Sequence, residues 1–434
     1  MKLLFKTIIV YLLRIEARTV IRKYRPKVIA VTGSVGKTST KDAIFAALAE
    51  KHFVRKSEKS YNSEIGLPLT ILGVPNAWSN PLRWMQNLFD GLLLLLFRAP
   101  YPEWLVLEIG ADRPGDIRSV AQWLPVDIAV ITRLPEVPVH VEYFSSPEEV
   151  AEEKASIIKT LRSSGTLVLF GDDARTMELA TRTNVPVITF GFSQNAGVRA
   201  ERCELLSNTD AAPLGIQAVV RADNAETTLS VRGTVGQHAL LPALAALAVG
   251  RGLGQDMEET VRAMERGYAP PPGRMRLLSG IKETRVIDDS YNSSPAAAEA
   301  ALETLASLPK KRGARRIAVL GDMLELGKFS AEEHRKIGLL AGKKVNMLAT
   351  VGFRARGIAE GALDAKLPDD KILQYEDARR AGEELAGLLR SGDIVLLKGS
   401  QSVHMERAVK ALMEHPEQAG EILVRQEKEW QKRR

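Results

Sequence analysis

The chain has 434 residues, of which 45% are hydrophobic and 26% charged, a composition typical of a globular protein with two or three domains. Its single cysteine, Cys203, excludes an intramolecular disulfide and fits a reducing cytoplasm. The formal net charge of +7 comes from the first 27 residues, which hold eight Lys and Arg residues against Glu16 alone. Because the rest of the chain sums to zero charge, nucleic acid is not an expected partner.

Residues 1–26 predict a basic amphipathic helix. Its apolar stripe comprises Leu4, Ile8, Leu12 and Ile15, and its basic stripe comprises Arg14, Arg18, Arg22 and Arg25. The segment is too short and too charged to span a bilayer, and no small-residue cleavage site follows it. Two interpretations stay open: peripheral association with an anionic membrane, or packing of the helix on the body of the protein.

A phosphate-binding loop is predicted where the β-branched run Val28–Val31 meets a helix that starts near Lys37. The loop residues are Gly33, Ser34, Val35, Gly36, Lys37, Thr38 and Ser39. The glycines let backbone N–H groups approach an anion. Lys37 is expected to reach the β- and γ-phosphates of a nucleotide, and the Thr38 hydroxyl is expected to bind Mg²⁺.

Strands and helices alternate from Lys27 to Gly273, which predicts an open α/β sheet with a P-loop at its carboxyl edge. Its expected strands are Val28–Val31, Trp104–Ile109, Ile128–Thr132, Thr166–Phe170 and Val187–Phe190, followed by a small antiparallel segment within 198–231. The proline-rich boundary at 269–273 separates this unit from a Rossmann-like C-terminal α/β domain. Its expected strands are Arg285–Asp288, Arg316–Leu320, Met347–Val351, Ile372–Tyr375 and Asp393–Leu397. The predicted domains are therefore 27–273 and 274–434, preceded by the helix of 1–26.

Two further segments carry open interpretations. The apolar run Leu92–Phe97 predicts a buried helix, with a membrane-facing patch as the alternative if it works together with the N-terminal helix. The charged tail from Glu417 predicts a surface helix or a frayed end.

A series of motifs resembles the Mur ligase family, whose members form amide bonds in peptidoglycan assembly at the expense of ATP. In chain order these are Thr32–Thr40, Tyr61–Pro68, Glu108–Gly115, His140–Glu142, Glu153-Lys154, Gly273-Arg274, Asp288–Asn292, Val319–Gly327 and Lys398–Ser400. The set covers nearly the whole chain after residue 27. The motifs Asp288–Asn292 and Val319–Gly327 are most similar to those of the branch that adds D-alanyl-D-alanine to a muramoyl-tripeptide precursor.

The resemblance implies a reaction through an acyl phosphate, in which a carboxylate attacks the γ-phosphate of ATP and an amine then displaces phosphate. It implies the catalytic residues Lys37, Glu108, His140, Lys154 and Arg274, and the Mg²⁺ ligands Thr38, Glu108, His140 and Lys154. Lys154 matches a lysine that the family carbamylates with CO₂. Asp288 and Asn292 match nucleotide contacts, and Asn62 matches a position in a substrate loop. The simpler alternatives are a turn-capping carboxylate for Glu108, a structural histidine for His140 and a surface lysine for Lys154.

The sequence also departs from the family pattern. Ala239 and Pro242 replace two asparagines that contact adenine, and Arg133 stands where asparagine is usual. Only the basic helix precedes the P-loop, where typical members carry a UDP-binding domain. These departures leave two alternatives to a ligase for the UDP-linked precursor: the same chemistry on a non-UDP or lipid-linked acceptor, and an inactive nucleotide-binding scaffold at the membrane. A monomer in the cytoplasm, with D-alanyl-D-alanine or a similar amine as co-substrate, is expected.

Overall fold

The computed structural model describes residues 2–58, 64–78, 80–208, 213–427 and Trp430. Within these residues the strands form a nine-stranded and a six-stranded sheet, both mostly parallel. The α/β fold class predicted from the sequence is confirmed. The substrate-loop candidate Asn62 lies outside the described residues.

The first sheet is wound in both directions from its first strand in the chain. Its strands are β1 Lys27–Thr32, β2 Val54–Lys56, β3 Trp104–Glu108, β4 Val126–Ile131, β5 Leu161–Phe170, β6 Val187–Gly191, β7 Val198–Ser207, β8 Pro213–Ala222 and β9 Ala225–Arg232. They lie in the order β2-β3-β1-β4-β5-β6-β7-β8-β9, so β1 stands between β3 and β4, where the winding changes direction. Ligands of open α/β sheets bind at the carboxyl ends of strands beside such a switch point.

Helices cover both faces of this sheet. They are α1 Lys2–Tyr24, α2 Lys37–Ala49, α3 Gly66–Leu72, α4 Pro81–Leu96, α5 Asp116–Ala121, α6 Pro147–Ala155, α7 Ala174–Glu178, α8 Leu241–Gly252 and α9 Met257–Gly267. Alternate residues of β1 point to opposite faces. Val28 and Ala30 join the hydrophobic cluster that includes α1, whereas Ile29 and Val31 join the cluster that includes α2 and α8.

The second sheet has one antiparallel edge strand. Its strands are β10 Arg276–Gly280, β11 Thr284–Asp289, β12 Arg316–Gly321, β13 Met347–Val351, β14 Ile372–Tyr375 and β15 Ile394–Lys398, in the order β10-β11-β15-β12-β13-β14. The helices are α10 Pro295–Ser307, α11 Ser330–Lys344, α12 Arg356–Asp364, α13 Ala378–Leu388, α14 Glu406–Leu412 and α15 Ala419–Ile422. Apolar clusters on both faces of the sheet form the core of this half of the chain.

The predicted strands are all present, and β5 differs most because it begins at Leu161 rather than Thr166. Two short edge strands, β2 and β10, are present in addition to those predicted from the sequence. The antiparallel segment is present as β7–β9, but it extends the first sheet, because β6 pairs with β7. In the described part of the tail the α-helix is the short α15, and beyond it the buried Arg425 guanidinium donates to the carboxylate of Glu406 at 2.7 Å.

Helix α1 packs on the rest of the protein through a different face from the predicted apolar stripe. It contacts α3 and α4, and its buried side chains are Ile9, Leu13, Ala17, Val20 and Ile21. Ile8, Leu12 and Ile15 are exposed. The interpretation of Leu92–Phe97 as a buried helix is wrong, because Leu92, Leu93, Leu96 and Phe97 are also exposed.

Two neighbouring leucines test which face of α1 is buried. Leu13 has no exposed surface, whereas Leu12 is 39% exposed. We expect Leu13→Ala to lower the free energy of unfolding by about 2–5 kcal/mol, because it leaves a cavity in the core. Leu12→Ala is expected to change it by less than about 0.5 kcal/mol. Denaturant unfolding followed by circular dichroism measures both, and equal effects would contradict this packing.

Candidate active site

The loop after β1 has the backbone of a phosphate-binding loop. Gly33 and Gly36 both have positive φ, at 134° and 89°. A Cβ on Gly33 would lie 2.0 Å from the Thr132 hydroxyl, so a side chain at this position would clash with the end of β4. Gly36 precedes the first residue of α2, and the Lys37 ammonium folds back to donate to the Gly33 carbonyl at 3.0 Å. The loop therefore curls over the N-terminus of α2, where backbone N–H groups favour an anion.

The remaining loop residues are anchored to β4 and to α2. The Ser34 N–H donates to the Arg133 carbonyl at 3.0 Å, and Val35 forms an isolated bridge with Arg133. Thr38 and Ser39 are buried in the first turn of α2. These contacts hold the loop at the carboxyl edge of the sheet.

Glu108 ends β3 directly beside the loop, because Val31 and Glu108 are paired in the register of β1 and β3. Its side chain is 2% exposed, and its Oε2 accepts no hydrogen bond from any described residue. The Lys41 ammonium, one turn into α2, lies 4.0 Å from this oxygen but donates to the Ser57 carbonyl at 2.8 Å. A buried carboxylate with a free oxygen beside a phosphate loop suits a Mg²⁺ ion, which prefers oxygen ligands.

Lys154 is buried near the same cluster and is 1% exposed. Burial, followed by the nearby Lys37 ammonium, lowers its pKa to about 7, although Asp112 and Glu153 act in the opposite direction. No carboxylate of the described residues lies within ion-pair distance of its ammonium. The neighbouring Glu153 is already engaged by Arg118, whose backbone N–H and Nε donate to it at 3.0 and 2.6 Å. Glu153 therefore fixes α6 to the start of α5, and Lys154 is left without a counter-ion of its own.

The pKa of Lys37 is lowered as well. Burial is the main cause and the Arg274 guanidinium adds to it, whereas Glu108 and Asp112 partly compensate. Arg274 approaches from the start of the second sheet, and its Nη2 donates to the Thr38 hydroxyl at 3.0 Å. Its guanidinium also lies 4.1 Å from the centre of the Tyr291 ring, a cation–π contact. Three cationic side chains thus converge on the loop from different parts of the chain.

His140 lies between the two sheets. The backbone of His140 is in the left-handed region. Its Nδ1 lies 2.7 Å from the carboxylate of Glu325, and its Nε2 lies 3.6 Å from the carboxylate of Asp112. This close approach of the His140 imidazole lowers the pKa of Glu325. Among the described residues no three His, Cys, Asp or Glu side chains form a metal-binding group. Thr38 and Lys154 are not residue types of such a group, so the ligand set Thr38, Glu108, His140 and Lys154 stays a prediction. Mg²⁺ commonly combines few carboxylates with phosphates and water.

The predicted nucleotide contacts Asp288 and Asn292 lie at the carboxyl end of β11. Asp288 is fully buried, and burial raises its pKa to about 6, although its Oδ1 accepts from the Ser290 N–H at 3.1 Å. Its Oδ2 has no partner among the described residues. The side-chain oxygen of Asn292 accepts from the Ser293 N–H at 2.9 Å, so the amide of Asn292 serves its own loop.

Sequence comparisons match both halves of the chain to known protein families. Residues 90–250 match the family described as Mur ligase middle domain, and residues 273–401 match Mur ligase, glutamate ligase domain. The chain is 30% identical over 404 residues to the UDP-N-acetylmuramoyl-tripeptide–D-alanyl-D-alanine ligase of Mycobacterium tuberculosis H37Rv, covering 89% of this chain and 72% of the relative. It is 29% identical to the Bacillus subtilis enzyme of the same name, covering 92% of this chain and 79% of that one.

The chain belongs to the Mur ligase family. It is therefore an ATP-dependent ligase. Among solved structures, the MurF ligase of Thermotoga maritima in complex with ADP superposes with a TM-score of 0.75 at 26% identity, covering 94% of this chain and 84% of that one. The folylpolyglutamate synthase of Mycobacterium tuberculosis has a TM-score of 0.63 at 16% identity and shares the fold.

Several residues at the site have no role in the sequence-based prediction. Lys41 lies one helical turn after Lys37, a spacing that places both on one face of α2. Asp112 and Glu325 fall within motifs that were recognised without a role for these side chains. Tyr291, which the Arg274 guanidinium stacks on, was also part of a recognised motif. The helical spacing of Lys41 from Lys37, and the acidic residues Asp112 and Glu325 within the recognised motifs, were the sequence features that could have indicated these residues.

The buried Lys154 makes stability depend on pH. Its pKa is about 7 in the folded protein and 10.5 in the unfolded chain, so the unfolded chain binds more protons between these pH values. The charged Lys154 therefore lowers the free energy of unfolding, and this destabilisation is greatest below about pH 7. We expect Lys154→Met to raise the unfolding temperature most below about pH 7 and progressively less toward pH 10.5. Calorimetry in CO₂-free buffer measures this. Lys159→Met, at an exposed position, is the control and should show no such trend.

Proposed function

We propose that this ligase joins D-alanyl-D-alanine to a UDP-muramoyl-tripeptide in peptidoglycan synthesis. The relatives named above carry this activity in their names. The observation that supports the chemistry is the convergence of Lys37, Lys154 and Arg274 around a phosphate loop, with the free oxygen of Glu108 beside it. We further propose the division into 1–26, 27–273 and 274–434, and a monomer in the cytoplasm, where ATP and soluble precursors are available.

The reaction has two balanced steps. In the first, a carboxylate oxygen of the tripeptide attacks the γ-phosphorus of ATP, the bond to the β-phosphate oxygen breaks, and ADP leaves. In the second, the amine nitrogen of the dipeptide attacks the acyl carbon, phosphate leaves with the bonding electrons, and a proton passes to solvent. Negative charge accumulates in both steps, so positioned cations supply most of the catalysis.

Each cation has a place in this scheme. Lys37 and the N–H groups of the loop hold the β- and γ-phosphates. Arg274 reaches the loop from the other domain, so its guanidinium stabilises the transferred phosphoryl group and also couples domain closure to binding. Asp288 and Asn292 border the nucleotide from the side of β11. The adenine base lacks the contacts of the two family asparagines, because Ala239 and Pro242 stand in their positions.

Mg²⁺ would be held by Thr38, Glu108, His140 and Lys154, together with phosphate oxygens. Bound there, the ion would neutralise charge that develops on the phosphates. Lys154 suits this role only as a carbamate. Its amine is buried, its pKa is about 7, and a neutral amine is the form that attacks CO₂. The neutral nitrogen bonds to the carbon of CO₂ and releases one proton to solvent, which would place an anion beside Lys37 where an ammonium would otherwise stand.

An assay of phosphate release tests the proposed reaction. ATP, UDP-muramoyl-tripeptide and D-alanyl-D-alanine are supplied together and each is omitted in turn, and mass spectrometry identifies the product. Release that requires all three, with the expected pentapeptide, supports the proposal. Turnover only with a lipid-linked tripeptide would establish the alternative acceptor, and no turnover with either acceptor would favour a scaffold.

Lys37 provides the first test of the site. We expect Lys37→Met to lower kcat roughly 10²–10³-fold, as the loss of one electrostatic group in a preorganised site does. Lys51→Met changes an exposed lysine just beyond the same helix and should leave kcat unchanged. Near wild-type turnover by a folded Lys37→Met protein would refute the assignment of the loop.

Lys154 provides a test of the carbamate. We expect Lys154→Ala to abolish turnover, because the site loses an anionic ligand. Added formate or acetate should restore part of the activity by occupying the vacated space, whereas bicarbonate should not. The same salts should leave the Lys37→Met protein inactive. Full activity of Lys154→Ala without additives would show that Lys154 is only structural.

A further inference from the structure

Helices α1 and α4 present a large apolar surface to solvent. It comprises Ile8, Tyr11, Leu12 and Ile15 of α1, and Leu82, Met85, Phe89, Leu92, Leu93, Leu96 and Phe97 of α4 and its end, which we call the α1–α4 surface. Leu82 is 79% exposed and Leu96 65%. Contiguous exposed apolar patches on globular proteins mark interaction sites.

Helix α4 is apolar on its outward face as well as on the face that meets the core, where Trp84, Leu88, Leu94 and Leu95 pack. Asn87 and Gly91 are the buried residues of this helix, while most of its leucines point outward. The Asn87 amide donates to the Pro75 carbonyl at 2.8 Å, and a Cβ on Gly91 would lie 2.2 Å from the carboxylate of Glu16. A helix that faces water normally buries its apolar side against the core. The arrangement of α4 therefore suits an apolar medium outside the protein.

Polar contacts hold the two helices side by side. The Lys23 ammonium donates to the carbonyls of Leu94, Leu95 and Phe97 at 2.8, 3.0 and 2.6 Å, which satisfies the free end of α4. The Tyr24 hydroxyl donates to the Leu94 carbonyl at 3.0 Å. Both helices also pack on the same hydrophobic cluster. Their outward faces consequently form one rigid surface.

The surroundings of this surface are basic. Exposed cations on α1, α4 and their ends are Arg14, Arg18, Arg22, Arg25, Arg83 and Arg98. The acidic residues of the two helices, Glu16 and Asp90, are both partly buried. An apolar face with a basic margin complements an anionic lipid surface, with apolar side chains among the acyl chains and cations at the headgroups. A second copy is a poorer occupant, because a two-fold contact would bring the basic margins together.

We propose that the α1–α4 surface docks this protein on an anionic bilayer, with both helices lying in the plane of the interface. No helix in the described ranges has the length and apolarity needed to cross a membrane, so the contact is peripheral. The attachment is independent of the ligase reaction, since the surface contains none of the residues assigned to the active site.

Vesicle co-sedimentation of the full chain tests this proposal. We expect binding to vesicles of phosphatidylglycerol and phosphatidylcholine in equal parts, weaker binding at high salt, and little binding to phosphatidylcholine alone. Phe89→Glu/Leu96→Glu should lower the partition coefficient more than about tenfold, because it places charges in the acyl region. The matched control, Phe353→Glu/Leu388→Glu, changes exposed residues of the second domain and should bind like the wild type.

The basic margin is tested separately. Arg18→Gln/Arg22→Gln should weaken binding and flatten its salt dependence, whereas Arg335→Gln/Arg380→Gln should not. Circular dichroism checks the fold, and the single variant Leu96→Glu serves if the double variant does not fold. Equal binding with and without phosphatidylglycerol, or undiminished binding of Leu96→Glu, would overturn the proposal. A dimer in sedimentation equilibrium that Leu96→Glu dissociates would also overturn it, because a second copy would then cover the surface.

Discussion

The candidate active site depends on positive charge, buried at Lys154 and partly buried at Lys37, that the described residues leave largely uncompensated. Lys37 and Lys154 are both depressed in pKa by burial, and the Lys37 ammonium adds to the effect on Lys154. The carboxylate of Glu153, beside Lys154 in sequence, is turned toward Arg118. Such a cluster is costly in the folded protein and is relieved by anions. A nucleotide phosphate at Lys37 is an anion that the ATP-dependent reaction itself supplies.

The fold makes this cluster in two ways. The register of β1 and β3 brings Glu108 beside the loop, since the strands on either side of the switch point end at the same edge. The second domain then adds Arg274 at Thr38 and Glu325 at His140. Because these contacts cross from one domain to the other, a change in domain orientation would alter the site directly.

The α1–α4 surface lies on the other side of the first sheet from α2, which carries the phosphate loop. The first sheet therefore separates α2, at the phosphate loop, from α1 and α4, which form the proposed membrane contact. Hydrogen bonds from Asn87 and Lys23 tie α4 to the body, while its exposed apolar residues face outward. A docked ligase would release its product close to the bilayer without any change in the chemistry at the loop.

The sequence by itself determined the features that depend on local conformation. The phosphate loop was predictable because Gly33 and Gly36 supply the backbone that a strand–loop–helix turn needs, and the parallel strands were predictable from their short apolar runs. Ordered motifs gave the family. They also gave Glu108, His140, Lys154 and Arg274 as candidates, although no spacing in the sequence shows that Lys154 is buried.

Only the tertiary structure decided which apolar stripe of α1 is buried. Both Leu12 and Leu13 belong to helical apolar stripes, so periodicity cannot distinguish the face that meets α3 and α4 from the face that meets solvent. The same holds for α4, whose leucines were expected inside. It also holds for the pairing of Arg274 with Thr38, which are 236 residues apart. Burial and long-range contact are set by the packing of whole elements against one another, and a linear pattern contains no information about the partner.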